Sequence, residues 1–254
     1  MHTKELPIAV FDSGVGGISV LRELVRLMPG ENYLYYGDSA NAPYGSKPTQ
    51  QVRSLTLAAA EKLMVRGIKA LVVACNTATS AAIGILRQRY PECIIVGIEP
   101  ALKMAADRFP AGNIGVMATQ VTLREEKFSH QAERFPNANL TLIPAPGLVE
   151  LIELDKADAP ETTALLRQLL TPCIGKLDAL VLGCTHYPFV SRQIAGILGT
   201  DTLLFDGGAG TARQTQRCLK EAGLLHNGPG SVQIENSSAD PALLALSQKL
   251  LQEG

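Results

Sequence analysis

Two short stretches of this chain are near copies of one another, and each ends in a cysteine. Ala70-Leu71-Val72-Val73-Ala74-Cys75 and Ala179-Leu180-Val181-Leu182-Gly183-Cys184 agree at four of six positions, and the other two differ by small apolar exchanges. A short uninterrupted apolar run followed at once by small polar residues reads as a strand buried on both faces of a parallel sheet. The first copy continues into Asn76-Thr77-Ala78-Thr79-Ser80 and then Ala81, Ala82, Ile83 and Leu86, a turn leading into a helix. The second continues into Thr185-His186. Each cysteine thus stands at the carboxyl end of a strand, where open parallel sheets bind their ligands.

The rest of the chain alternates in the same way. Ile8-Ala9-Val10-Phe11 runs into Asp12-Ser13-Gly14-Val15-Gly16-Gly17, after which Ile18, Leu21, Leu24, Val25 and Met28 recur at helical spacing. Tyr33-Leu34-Tyr35-Tyr36 is a second strand, followed by a long turn through Asp38 and Pro43-Tyr44-Gly45 and by a helix opened at Pro48. Ile94 to Ile98 is a strand ended by Glu99-Pro100. The pattern then begins again. Ile114 to Thr119 repeats the shape of Ile8 to Ser13, Leu140 to Ile143 is a strand followed by Pro144-Ala145-Pro146-Gly147, and helices at Leu148 to Leu154 and Pro160 to Thr171 precede the second cysteine strand. Ile8 is nearly as far from Cys75 as Ile114 is from Cys184, which points to a duplicated half. The expected fold is α/β, with two pseudo-symmetric domains, each a mainly parallel sheet flanked by helices, and the active site in the cleft between them. Leu203-Leu204-Phe205-Asp206 closes the second half, and Gly207-Gly208-Ala209-Gly210 reads as a flexible hinge or crossover. Beyond it come a helix from Thr211 to about Ala222, an extended piece near Val232-Gln233-Ile234, and a final helix opened by Asp240-Pro241. Such a tail is too short to hold a core of its own and must pack back onto one half.

The 254 residues suffice for two modest cores, and 46% hydrophobic with 19% charged residues is ordinary for a globular enzyme. A net charge of −1 provides no basic footprint for nucleic acid and no polybasic patch for a membrane. Met1 to Pro7 lacks the apolar segment of a signal peptide, and no apolar run approaches the roughly 18 residues of a membrane span. The chain is expected to work in the cytoplasm on a small molecule. Its five cysteines are an odd number, widely spaced, with no C-x-x-C pair and no histidine at metal-ligand spacing, so neither a disulfide framework nor a zinc site is expected. Cys93, Cys173 and Cys218 have no local context that singles them out.

The glycine-rich turn after the first strand lacks G-x-G-x-x-G spacing, and Asp12 would set a carboxylate where a pyrophosphate should lie. Asp12-Ser13 suits a ligand carrying an ammonium group, the plainer alternative being that Asp12 caps the following helix. Tyr44 either shapes a pocket or packs over the core. His186 is a proton relay or thiol-tuning group, or else a helix cap or surface residue. Cys75 and Cys184 each precede small polar residues of a first helical turn, a setting that stabilises a thiolate. One thiolate and one thiol on opposite faces of a substrate carbon form a base and an acid whose joint action inverts a stereocentre. A redox pair would favour C-x-x-C, and a single thiol nucleophile would leave the second cysteine without a role.

Four motifs in order carry a family resemblance over nearly the whole chain. They are Asp12-Ser13-Gly14-Val15-Gly16-Gly17, Tyr36-Gly37-Asp38 with Pro43-Tyr44-Gly45, Cys75-Asn76-Thr77-Ala78-Thr79-Ser80, and Gly183-Cys184-Thr185-His186-Tyr187-Pro188. Together they resemble the glutamate racemases of the bacterial cell-wall pathway, in the aspartate/glutamate racemase family. The resemblance implies a cofactor-independent isomerase making D-glutamate for peptidoglycan, with Cys75 and Cys184 as its acid/base pair. It also implies substrate binding by Asp12, Ser13, Tyr44, Gly45, Asn76, Thr77, Thr185 and His186, with Asp12 and His186 tuning Cys75 and Cys184. A glutamate of the second domain is implied near the site, and Pro146, Val149 and Glu153 fit its context. Domains of 1–98 plus 208–254 and of 99–207 follow from the same likeness, as does a homodimer as the assembly to be tested. The sequence departs from the pattern at Ala145, where cysteine is frequent, at Glu150, where proline is common, and at Gly207, where a small polar residue is usual. Only eleven residues precede Asp12, so the N-terminal extension through which some relatives respond to a cell-wall precursor is not expected. A racemase for aspartate or another amino acid is the alternative within this chemistry, and His186-Tyr187-Pro188 points to glutamate. A non-catalytic amino-acid sensor is the alternative outside it.

Overall fold

The computed structural model describes residues 3–98, 101–124 and 126–253. The Glu99-Pro100 end of the fourth strand lies outside the described residues. In chain order the elements are β1 (Ile8–Asp12), α1 (Ile18–Leu27), β2 (Asn32–Gly37), α2 (Thr49–Val65), β3 (Ala70–Val73), α3 (Asn76–Arg89), β4 (Ile94–Gly97) and α4 (Leu102–Arg108). Then follow β5 (Asn113–Ala118), α5 (Gln120–Arg124), α6 (Glu126–Glu133), β6 (Asn139–Pro144), α7 (Leu148–Glu153), α8 (Pro160–Leu170), β7 (Ala179–Leu182), α9 (Ser191–Leu198), β8 (Leu203–Asp206), α10 (Gly208–Glu221), β9 (Ser231–Asn236) and α11 (Pro241–Gln252). The strands form two sheets, β4-β3-β1-β2-β9 and β6-β5-β7-β8, and every pairing is parallel.

Read from the fourth strand of each half, the orders β4-β3-β1-β2 and β8-β7-β5-β6 are the same. The registers agree as well: Ile8 pairs with Ala70, and Ile114 with Ala179, so each copy of the repeated stretch enters its sheet at the same point. The agreement extends beyond the strands. Ala74 N–H donates to Phe11 O at 2.7 Å and Gly183 N–H donates to Met117 O at 2.8 Å, so the residue before each cysteine is pinned to the neighbouring strand in the same way. Strands β1, β3 and β7 are buried at every residue, as their continuous apolar runs require of a sheet covered on both faces. Among the described residues no helix is long and apolar enough to cross a membrane.

The tail returns to the first sheet. Strand β9 pairs with β2 from Asn32↔Ser231 to Gly37↔Asn236, α10 packs on α1 and β4, and α11 packs on α1 and β9. Asp240 caps α11 by accepting from Ala242 N–H at 2.9 Å. Gly207 to Gly210, read as a flexible hinge or crossover, is the crossover, where the chain passes from β8 of the second sheet to α10 on the first half. Asp206 Oδ1 accepts from Gly208 N–H at 2.7 Å and α10 begins at Gly208, three residues earlier than the sequence suggested. A Cβ at Gly208 would stand 3.0 Å from Asp206 Oδ1 and 3.3 Å from Glu23 Cγ on α1, a tight fit in which those side chains would have to give way.

A buried ion pair fastens the tail at the end of the sheet remote from the cysteines. The Lys69 ammonium, with no side-chain exposure, donates to the equally buried Glu31 carboxylate, to Lys4 O at 2.6 Å and to Leu224 O at 3.1 Å. The other Glu31 oxygen accepts from His226 N–H at 2.9 Å. Lys69 and Glu31 thereby join the start of the chain, the α1–β2 turn and the α10–β9 turn. Removing one member leaves the other charge buried without its counter-ion, so Lys69→Met is expected to cost about 3–5 kcal/mol of stability, read from urea unfolding followed by circular dichroism.

Candidate active site

The two strand ends face one cavity. Its walls include Ser13, Tyr44, Gly45, Cys75, Asn76 and Thr77 from the first half and Glu153, Cys184, Thr185 and His186 from the second. Ten of the eleven residues singled out by the sequence therefore share one lining. The eleventh, Asp12, lies beneath it with no exposure, and its links are to Gly14 N–H at 2.9 Å and to the Thr185 hydroxyl, which donates to Asp12 Oδ2 at 3.0 Å. The alternative role for Asp12 as a cap of α1 is not realised, since Gly17 occupies the cap position and no side chain caps the helix.

The surroundings of the two sulfurs differ. Cys75 is itself the N-cap of α3, and its Sγ accepts from Ala78 N–H at 3.4 Å and lies 3.5 Å from Ser13 Oγ. Burial nevertheless pushes the Cys75 thiol up to about 12, aided by the Asp12 carboxylate and opposed only in part by the Ser13 and Ala78 contacts. The expectation that a helix start would make Cys75 a ready thiolate is thus corrected, because desolvation outweighs the Ser13 and Ala78 contacts. Cys184 differs: the helical segment after it opens as a 3-10 turn at Tyr187–Val190 that runs into α9 at Ser191, and Cys184 is not its cap. Its neighbour is a histidine instead, with His186 Nδ1 at 3.7 Å from the sulfur and Nε2 at 2.7 Å from Glu153 Oε1. Burial opposes protonation of His186, but hydrogen bonds to Cys184 and Glu153 on its two nitrogens hold it well above the usual imidazole range. His186 is 2% exposed, which rules out the surface role.

Glu153 also reaches the other half, where Val15 N–H donates to its Oε1 at 2.7 Å. Glu150, the departure noted in the sequence, lines the cavity from an exposed position on the same helix. The alternatives for Tyr44 turn out to be compatible. Its hydroxyl donates to Asp38 Oδ2 at 2.7 Å and its ring packs on Phe11, while the residue still forms part of the cavity wall. Sequence reasoning missed Thr119 and Thr122. With Thr77 they form a triangle of hydroxyls 3.0–3.3 Å apart across the two halves, and Thr119 lines the cavity. The signal was present, since Thr119 holds in the second half the place of Ser13 in the first.

Two buried polar atoms among the described residues have no hydrogen-bond partner, Asn76 Oδ1 and Tyr187 OH. An orphaned buried acceptor is costly, and Asn76 belongs to the cavity wall, so a donor on a bound molecule would relieve it. The raised position of Cys75 has a direct chemical consequence. Alkylation of Cys75 by iodoacetamide in the ligand-free protein is expected to rise about tenfold per pH unit from pH 8 to pH 10, where an ordinary thiol levels off near 9. Mass spectrometry of the peptide containing Cys75 follows the rate.

Comparison with known proteins agrees with this arrangement. The Asp/Glu/Hydantoin racemase family matches residues 8–215. A glutamate racemase of Clostridium kluyveri is 48% identical over 257 residues, covering 100% of both chains. Among solved structures, glutamate racemase from Thermus thermophilus in complex with beta-chloro-D-alanine is 37% identical with a TM-score of 0.84, covering 97% of this chain and 93% of that one. Escherichia coli glutamate racemase in complex with L-glutamate and the activator UDP-MurNAc-ala is 29% identical with a TM-score of 0.85, covering 96% and 95%. A duplicated parallel α/β fold, a cysteine at each equivalent strand end and this degree of likeness along the full length place the chain in the Asp/Glu/hydantoin racemase family, among its glutamate racemases.

Proposed function

We propose that this protein interconverts L- and D-glutamate by a two-base mechanism carried by Cys75 and Cys184, and that the D-glutamate serves peptidoglycan synthesis in the cytoplasm. The observation that carries the reading is the pair of thiols at register-equivalent strand ends lining one cavity. The thiolate on one wall takes the α-proton of glutamate, and the thiol on the other returns its own proton to the opposite face of the same carbon. Proton count and charge are conserved, the configuration inverts, and the cysteines exchange roles. The next turnover then runs in the reverse sense. Asp12 is the group beside Cys75, and His186 backed by Glu153 is the group beside Cys184. Asn76 Oδ1 is the acceptor offered to the substrate ammonium, and Ser13, Tyr44, Gly45, Thr77 and Thr185 are the remaining contacts of the proposed binding site. The proposed domains are residues 1–98 with 208–254 and residues 99–207, a division supported by the pairing of β9 with β2.

Incubation with L-glutamate in deuterated water, with no cofactor added, is expected to abolish optical rotation and place deuterium at the α-carbon. Retention of both rotation and α-proton would refute the reading, and aspartate run in parallel separates the two substrates. Cys75→Ser and Cys184→Ser are each expected to lower racemisation by about 10³-fold or more, since each removes one of two obligatory proton carriers. Gly16→Ala is expected to lose about 10²-fold in kcat/KM and to lower the melting temperature, because its Cβ would stand 2.4 Å from the buried His186 Nδ1 and displace the imidazole.

A further inference from the structure

The turn between β1 and α1 looked in sequence like a ligand loop, yet what it receives is the other half of the molecule. A Cβ at Gly14 would stand 1.9 Å from Glu153 Oε1, and one at Gly16 would stand 2.5 Å from Thr185 Oγ1, so the second half's side chains rest against bare backbone here. Ser19, in the first turn of α1, faces the same seam without lining the cavity. Its hydroxyl lies 2.8 Å from Thr185 O and 2.9 Å from Gly16 O, its one proton shared between the two carbonyls. A serine bonding back three residues is a common local motif that needs no further purpose. Here, however, Gly16 O also accepts the Ser19 backbone N–H at 3.0 Å, so the local turn keeps a donor when the hydroxyl proton goes to the carbonyl across the seam.

We propose that Ser19 is a positioning residue for the racemisation described above, holding the Thr185 peptide against α1 so that the groups beside the two thiols stay engaged across the cleft. The inference rests on the two-thiol reading. Thr185 lies between Cys184 and His186, so one bond at its carbonyl fixes the backbone that carries both. Its side chain acts on the opposite half by donating to Asp12 at 3.0 Å. The exchange is reciprocal, since Glu153, which orients His186, takes its second hydrogen bond from Val15 N–H of the turn. Asp12 beside Cys75 and Glu153 behind His186 therefore each take one hydrogen bond from the facing half.

Loss of the Ser19 hydroxyl frees the Thr185 peptide and weakens the donor to Asp12. Asp12 is already raised by burial, with His186 and Glu153 facing it from the second half and Cys75, Tyr35 and Tyr44 from the first. Withdrawing a donor from its charged form raises it further.

The test is steady-state kinetics in both directions, with pH profiles and melting temperatures, for wild type, Ser19→Ala and Ser19→Thr. Ser19→Ala is expected to lower kcat about tenfold in both directions with KM changed by less than about twofold, and to move the acid limb of kcat/KM upward by about half a pH unit. Ser19→Thr, which keeps the hydroxyl, is expected to recover most of the rate and the wild-type limb. Wild-type kcat and acid limb in Ser19→Ala would overturn the proposal, as would equal losses in both variants accompanied by a lowered melting temperature. An inactive wild type would instead overturn the racemase reading itself, and this inference with it.

Discussion

Everything at the candidate site depends on two parallel pairings, β1 with β3 starting at Ile8↔Ala70 and β5 with β7 starting at Ile114↔Ala179. Side chains on a strand alternate in direction at every residue, so a slip of one position in either pairing would turn that strand's cysteine away from the cavity. The slip is prevented by burial. Each residue of β3 and β7 is enclosed, and the backbone bonds Ala74 to Phe11 and Gly183 to Met117 carry the register one step beyond the strands, to the residue before each sulfur.

On this near-symmetric frame sits an asymmetric pair of thiols. Cys75 is enclosed next to a carboxylate and a serine hydroxyl, and desolvation keeps it protonated. Cys184 instead faces an imidazole that its neighbours hold well above the usual range. The two sulfurs therefore stand in unlike surroundings although the backbones that carry them are equivalent.

The glycine-rich turn shows how the same residues can carry different meanings in sequence and in space. Gly14 and Gly16 leave room for Glu153, Thr185 and His186. A glycine is needed wherever a side chain from elsewhere comes into close contact with backbone, and a phosphate is only one of the groups that makes such an approach. The hydrogen bonds exchanged at this seam tie the two halves together at the point where the chemistry is proposed to occur.

The sequence by itself determined the elements, the duplication and the two cysteines, because apolar periodicity and strand-end position are local properties that the chain states directly, and ten of the eleven site residues named from it, most of them through the family resemblance, lie on the cavity wall. It was less reliable where local pattern and tertiary packing diverge. Four residues rich in glycine read as a hinge or crossover, and the structure makes them the crossover, with Asp206 accepting from Gly208 N–H where α10 begins. A cysteine before small polar residues read as a thiolate, yet desolvation at Cys75 and the 3-10 start of the helix after Cys184 gave each a different environment. Only the tertiary structure decided that the two strand ends share one cavity, that Asp12 lies beneath its wall bonded to Thr185, that Thr119 lines the cavity and that Ser19 bonds to the Thr185 carbonyl. Those outcomes depend on how two halves distant in sequence meet, and the energies of burial and cross-cleft hydrogen bonding that fix the meeting are properties of the pair, absent from either half alone.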